Sequence, residues 1–428
     1  MRIKAVRGTR DITPDELRKW RYVEEVARDL FRRYGYREIR TPTFEHTELF
    51  VKGTGETTDI VEKEMYTFID KGGRSVTLRP EGTPSVVRAC LENGLFGQLP
   101  VLKLSYIGQM FRYDRPQAGR YREFWQIGVE AFGSADPSMD AEVIQLAYQL
   151  VTEVGLKGIS LELNSIGCKR CRPRYVEDLR EFGKRHVDEL CGKCVERIER
   201  NPMRLLDCKE ERCRIVMKEA PVILDYLCDE CAEHFAKVRE YLDLLDVPYA
   251  VNPRVVRGLD YYTRTVFEIT AEGLGAQNAV VGGGRYDDLV ELMGGKPTPA
   301  LGFAAGLDRI VASLEAQGFE FPIDEGIDCF IAVLGREAKP VALKLATSLR
   351  REGFSVEMEH LGRSLRAQMK TADKLKARFT AMIGEDELKS GRITLRDMKS
   401  GEQRSVEEGE IPYILRRGGF SDGADAPS

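Results

Sequence analysis

Four short strings hold the residue types that could handle a phosphate and an ammonium group. The first is Phe111-Arg112-Tyr113-Asp114-Arg115-Pro116-Gln117-Ala118-Gly119-Arg120-Tyr121-Arg122-Glu123-Phe124. It reads as a strand ending at Arg112, a polar Gly/Pro loop, and a second strand carrying Phe124, Gln126, Gly128 and Glu130. Guanidinium groups bind phosphate oxygens in pairs, so arginines at the loop base suit a polyphosphate. Alternate strand residues share a face, which lets Phe124, Gln126 and Glu130 line one pocket. A surface hairpin with solvated charges is the competing reading. The second string is Arg79-Pro80-Glu81-Gly82-Thr83, where Glu81 can hold an ammonium group or cap the following helix. The third, Arg257-Gly258-Leu259-Asp260-Tyr261-Tyr262, offers a close backbone approach at Gly258 and two tyrosines, which also suit a core or an interface. The fourth, Gly302-Phe303-Ala304-Ala305-Gly306-Leu307-Asp308-Arg309, lets a flat ligand near the backbone beside a helical arginine. It has neither the Gly-Lys-Ser/Thr of a P-loop nor G-x-G-x-x-G.

Cysteines pose a separate question. Eight of the ten lie between Cys168 and Cys231. Cys168-x2-Cys171 and Cys191-x2-Cys194 stand 19 residues apart, a zinc spacing, and Cys208, Cys213, Cys228 and Cys231 follow. Eight thiolates can build two tetrahedral sites, or one site with spare thiols. They can also be small buried apolar side chains. A zinc closed by four thiolates is structural, because it leaves no position for substrate.

These groups need elements to hold them. Trp20, Val23, Val26, Ala27, Leu30, Phe31 and Tyr34 recur at helical spacing, with Gly35 as the stop. Strands are expected at 36–44, 76–78, 101–111, 161–164, 265–270 and 279–281, with a helix from Thr83 to Asn93. Gly282-Gly283-Gly284 reads as a turn before a helix from Tyr286 to Met293. Helices are also expected at 175–190 and 229–245. Residues 159–248 read as an inserted domain. After a linker at Phe321-Pro322 and Gly326, apolar strands at 327–333, 355–358 and 379–383 alternate with helices at 339–352 and 364–376, an α/β domain. Arg363, Arg366, Lys370 and Lys374 fall three or four apart on the second of those helices, either as a nucleic-acid face or as an ordinary solvated one. From about Arg417 a polar tail is expected.

Across 428 residues, 42% are hydrophobic and 31% charged, enough for several packed domains. Sixty-five basic against 69 acidic residues give a net charge of −4, which excludes a globally basic histone-like binder. No apolar run reaches the roughly 18 residues of a membrane helix. Gly8, Arg10 and Asp11 interrupt the N-terminal segment before a signal-peptide core. The expectation is a soluble cytoplasmic protein, where disulfides are disfavoured.

Taken in order, with the insertion between the hairpin and Arg257, the four strings resemble a class II aminoacyl-tRNA synthetase. The Arg112 hairpin is similar to that class's second motif, 302–309 to its third, and the Pro42 region to its first, dimer-forming motif. Asp308 stands where a glutamate is more usual. Arg257–Tyr262 and Gly283-Gly284-Arg285-Tyr286-Asp287 resemble signatures of the histidyl-tRNA synthetase family. The resemblance covers about residues 1–415. It implies an α+β catalytic domain with a mainly antiparallel sheet flanked by helices, in two parts, 1–158 and 249–325. A helical Cys-rich insertion (159–248), an anticodon-binding α/β domain (326–416) and a flexible tail (417–428) complete the expected organisation. It implies histidine–tRNA ligation using ATP and Mg2+, with L-histidine and tRNA(His) as further substrates and a homodimer as the assembly. By resemblance Arg112, Arg257 and Arg309 are catalytic. Arg112, Arg120, Phe124 and Arg309 hold ATP. Glu81, Gly82, Thr83, Arg112, Gln126, Glu130, Arg257, Tyr261 and Tyr262 hold histidine. Arg115 and Gln117, with the basic helix face, meet tRNA. The zinc reading draws no support from the resemblance. The alternative is an inactive synthetase-like regulatory subunit of histidine biosynthesis. It is disfavoured by the presence of all three arginines and of a C-terminal α/β domain.

Overall fold

The computed structural model describes residues 3–114, 120–273, 278–322 and 326–420. The chain forms two compact units, Met1–Pro322 and Ile323–Ser428.

In the first unit, the opening helix spans Pro14–Arg33, with proline in its first turn, Asp15 and Glu16 at its start and Arg32 and Arg33 at its end. That charge order complements the helix dipole. Its apolar stripe, Trp20, Val23, Ala27, Leu30 and Phe31, is buried in the main core. Among the described residues, eight strands make the sheet under that core. Their order is Arg37–Glu38, Leu102–Phe111, Glu123–Phe132, Ala300–Gly306, Ala279–Arg285, Thr263–Thr270, Ser160–Ser165, Ala250–Val251. The pairings from Leu102–Phe111 through Ser160–Ser165 are antiparallel, and the two short edge strands join in parallel.

Three expectations for this unit change in ways that bear on the site. The expected 36–44 strand divides. Arg37–Glu38 joins the large sheet, and Phe44–His46 pairs instead with Ser75–Leu78 in a smaller sheet. Pro42, lacking an N–H, falls in the break. Second, the three glycines are not a turn, since Ala279–Arg285 is one continuous central strand. A side chain at Gly282 would overlap the Arg257 guanidinium, and one at Gly283 would crowd Phe267 and the Gly302 carbonyl. The glycines therefore record close approach across the sheet rather than a bend. Third, the part that leaves the sheet is narrower than 159–248. Ser160–Ser165 is a sheet strand, and the helix Asp229–Leu244 buries Phe235, Val238 and Leu242 in the main core.

The second unit has a five-stranded sheet ordered Val356–Met358, Cys329–Val333, Phe379–Ile383, Ile393–Asp397, Gln403–Val406. The first three are parallel and the last two add an antiparallel hairpin. Its helices include Ala338–Arg351 and Leu365–Lys374. A short helix, Ile411–Arg417, closes it at a left-handed Gly418, so the expected tail begins later than 417, and 421–428 lie outside the described residues. Among the described residues no helix is long and apolar enough to cross a membrane.

Candidate active site

The strand Glu123–Phe132 separates two environments. Ile127, Val129 and Ala131 enter the core, while Gln126 reaches the opposite face. On that face lies a cleft of about 160 Å³ lined by Glu81, Gly82, Thr83, Arg112, Gln126, Arg257, Tyr261 and Tyr262. With Gly302, Phe303 and Ala304 also on its wall, four separate strings of sequence meet at one cavity. Tyr106 packs beneath it, and a side chain at Gly82 or Gly128 would overlap the Tyr106 ring.

Both carboxylates are buried and held by hydroxyls. Glu81 accepts from Thr54 Oγ1 at 2.6 Å and from the Tyr261 hydroxyl at 2.8 Å. Burial raises its pKa against the pull of those two bonds and of Arg112. Glu130 is 1% exposed and sits one layer below the cleft surface. It accepts from Thr83 Oγ1 at 2.7 Å and from the Tyr286 hydroxyl. Burial pushes its carboxyl up to about 8, although the Tyr286 and Thr83 bonds oppose the shift. The hydroxyls of Tyr261 and Tyr286 stay protonated as donors, since burial raises both well above the ordinary tyrosine value.

The arginines converge. Arg112 Nε donates to the Pro80 carbonyl at 2.9 Å, tying the hairpin to the Glu81 turn, and its guanidinium carbon lies 5.4 Å from the Phe124 ring centre. Arg257 pairs with Glu268. Burial works against the Arg257 charge, but Glu268 together with Tyr262, Asp207 and Tyr261 outweighs it and the pKa rises. Arg309 donates to the Ala279 carbonyl at 2.5 Å. Burial, followed by the positive charges of Arg120, Arg112 and Arg257, pushes Arg309 down to about 10. A guanidinium repelled by three others shares one electrostatic neighbourhood with them. Arg120 also pairs with Asp114 at 2.9 Å. Asp308 faces away from this cluster, accepting the Trp125 N–H at 2.8 Å. Among the described residues, Gln126 Oε1 and Arg257 Nε are buried without a hydrogen-bond partner.

Sequence reasoning assigned no role to Tyr286, Thr54 or Tyr106. Tyr286 stood inside a quoted string, and the adjoining glycines were the available signal of close packing. Arg285 stood in the same string without a role, and Asp140 was not named. Their ion pair at 2.6 Å is wholly buried and joined by His234, whose Nε2 lies 3.2 Å from Asp140. Arg115 and Gln117 lie outside the described residues. Arg366, Lys370 and Lys374 are exposed on the helix Leu365–Lys374. Arg363 precedes that helix, and Glu359 holds its guanidinium at 2.6 Å, so it is not part of the helical face.

The eight cysteines form two sets, each with all four sulfurs within 4.8 Å of one another. Cys168 and Cys171 join Cys228 and Cys231, while Cys191 and Cys194 join Cys208 and Cys213. The spacing rule that grouped the first two C-x-x-C pairs fails, because space and not chain order chooses the partners. Sulfur separations of 3.7, 3.9 and 3.9 Å in the first set and 3.8 Å in the second are edge lengths of a thiolate tetrahedron. Zn–S bonds of about 2.3 Å give edges of about 3.8 Å. The N–H groups of Arg170 and Cys171 pull the Cys168 thiol down to about 6 against burial. The donor set fits Zn2+.

A mainly antiparallel sheet with the hairpin Arg112 in its polar cleft, and the helical Arg309 tied to the central strand at the Ala279 carbonyl, is the arrangement expected of a class II aminoacyl-tRNA synthetase. A histidyl-tRNA synthetase family model matches residues 8–171 and 184–310, and an anticodon-binding-domain model matches 328–417. A histidine–tRNA ligase of Halothermothrix orenii is 54% identical over 95% of this chain and 97% of its own. That of Pelotomaculum thermopropionicum is 53% identical over 96% and 97%. The apo histidyl-tRNA synthetase of S. aureus superposes with a TM-score of 0.82 at 40% identity, covering 97% of this chain and 100% of that one. A Bacillus halodurans chain described as an ATP phosphoribosyltransferase regulatory subunit/histidyl-tRNA synthetase shares the fold at 22% identity over 90% of this chain and 98% of its own, with a TM-score of 0.65. The chain belongs to the histidyl-tRNA synthetase family.

Proposed function

We propose that the cleft activates L-histidine with MgATP and passes it to tRNA(His), the ligase activity of the family. In the first step a histidine carboxylate oxygen attacks the α-phosphorus. The bond from that phosphorus to the bridging oxygen breaks, and pyrophosphate leaves with the electron pair. In the second, a terminal ribose hydroxyl of the tRNA attacks the histidyl carbonyl and AMP departs. No covalent enzyme intermediate is required.

Negative charge grows on the α-phosphoryl oxygens during attack, and fixed cations stabilise it without reorganising. Arg112 and Arg257 take that role and also meet the histidine carboxylate. Arg309 and Arg120 hold the outer phosphates, and the Phe124 face stacks on adenine. Glu81, with Thr83 and Gln126, takes the ammonium group, and Gly82 leaves it room. Glu130, which the ligand meets by displacing one of its hydroxyl partners, and Tyr262 read the imidazole nitrogens, and Tyr261 acts through Glu81. One observation carries this reading: Gln126 Oε1 and Arg257 Nε are buried and unpartnered, among the described residues, in a cleft of guanidiniums and carboxylates. Each such atom costs about 1–3 kcal/mol unless a ligand satisfies it. Histidine-dependent ATP–pyrophosphate exchange tests the proposal. Absence of exchange with histidine, or equal exchange with other amino acids, would overturn it.

Residues 326–416 are the anticodon-binding domain, with Arg366, Lys370 and Lys374 as its phosphate-facing side chains. Charge reversal at Arg366 and Lys370 should weaken tRNA binding and flatten its salt dependence. Two copies associate. Phe44 and Phe68, on one face of the small sheet, stand 56% and 48% exposed, as an uncovered apolar face would. Light scattering on the purified chain reads this directly. Each cysteine set holds one structural Zn2+, and unpaired thiols fit a reducing cytoplasm.

A further inference from the structure

The first cysteine set lies against the segment that carries Tyr262. Arg172, the residue after Cys171, donates to the Tyr262 carbonyl at 2.6 Å and to the Gly167 and Ile166 carbonyls at 3.1 Å each. The chain before Cys168 is laced to Arg264 by two backbone bonds, Ile166 N–H to the Arg264 carbonyl at 2.8 Å and Arg264 N–H to the Gly167 carbonyl at 2.9 Å. The other half of the set grips the same place, since Glu230, between Cys228 and Cys231, pairs with the Arg264 guanidinium. Arg264 also lies 3.8 Å from Asp287, beside Tyr286. Its backbone has a φ of +49°, a left-handed conformation that a non-glycine residue keeps only when its surroundings impose it.

Two chain segments sixty residues apart therefore hold Tyr262 to Arg264 between them, and they meet at four sulfurs. Four thiolates at contact distance repel one another. A divalent cation turns that repulsion into a cross-link. We infer that Zn2+ on Cys168, Cys171, Cys228 and Cys231 is a positioning element for histidine recognition, so that histidine affinity, and not ATP affinity, follows its occupancy. The inference rests on the reading of the cleft as the histidine site. Arg172 is the positioning residue that carries the effect from metal to pocket.

The test uses the full chain, its metal content by emission spectrometry, histidine affinity by calorimetry, and KM for histidine and ATP by pyrophosphate exchange. Calorimetry keeps the result readable whether or not exchange occurs. Wild-type protein should carry two zinc ions per chain, and the Cys228→Ser/Cys231→Ser protein one. The double variant should bind histidine about tenfold or more weakly, as a misplaced recognition group does, with KM for ATP within about twofold. Chelator-treated wild type should lose histidine affinity and recover it with Zn2+. Should the cysteine variants fail to fold, Arg172→Ala decides. It should keep both ions yet weaken histidine binding to a similar degree, with Arg172→Lys intermediate. Unchanged histidine affinity in zinc-free wild type or in Arg172→Ala would overturn the inference.

Discussion

Tyr261 and Glu81 are 180 positions apart in the chain and 2.8 Å apart in the cleft, hydroxyl to carboxylate. Burial raises the Glu81 pKa, and the bonds from Thr54 and Tyr261 pull it back. The tyrosine thus helps to keep ionised the carboxylate that meets the substrate ammonium. Tyr261→Phe removes one bond to a charged group, about 1.5 kcal/mol, so KM for histidine should rise about tenfold while the fold is kept. An unchanged KM in the exchange assay would place the ammonium elsewhere.

Glu130, at about 8, predicts a pH profile. At neutral pH the empty site holds this carboxyl protonated. Free imidazole loses its proton near about pH 6.5. A complex sharing one proton between Glu130 and the imidazole must release a proton on forming at low pH and take one up at high pH. Histidine binding should therefore be tightest between those two values, and Glu130→Gln should lose the alkaline limb. The stability sign follows from the same raised pKa. The contribution of Glu130 is fully present below its unfolded value and is lost as pH rises through about 8. The Gln variant should gain stability relative to wild type over that range, and parallel melting curves would contradict the assignment.

Gly282→Ala should separate activity from folding. The added methyl would overlap the Arg257 guanidinium, the far end of a flexible side chain, which can move aside. A displaced Arg257 can no longer stabilise charge on the α-phosphoryl group. Removing one such donor costs about 100-fold or more in rate. A variant with near-normal melting temperature and near-normal exchange would show that Arg257 is not needed where it stands.

The Asp140–Arg285 pair holds up the strand that ends beside Tyr286. Both side chains are wholly buried, and Arg285 also donates to the Ser134 carbonyl at 3.0 Å. Asp140→Ala takes the nearer carboxylate from a buried cation and leaves it Asp287, 3.1 Å away, so the cost should reach at most that of a broken buried pair, about 3–5 kcal/mol. Thermal or urea unfolding should show that loss. A change under about 1 kcal/mol would mean that Asp287 or water replaces the carboxylate.

What could be read from the chain alone was what local geometry encodes. Alternation along a strand put Gln126 and Glu130 on one side of the hairpin, and helical spacing marked the buried stripe of Trp20 to Phe31. The order of the arginine strings carried the resemblance to a synthetase. Contacts between distant segments were decided only in three dimensions. Gly282 looked like a turn because its reason, the Arg257 side chain, comes from another part of the sequence. Tyr286 had no visible task until its hydroxyl met Glu130. The cysteines were paired in the wrong order because a thiol has no preference for the neighbour next in line. It takes whichever sulfurs the folded backbone brings within bonding distance of a common centre, and here the helices between Cys171 and Cys228 make that choice.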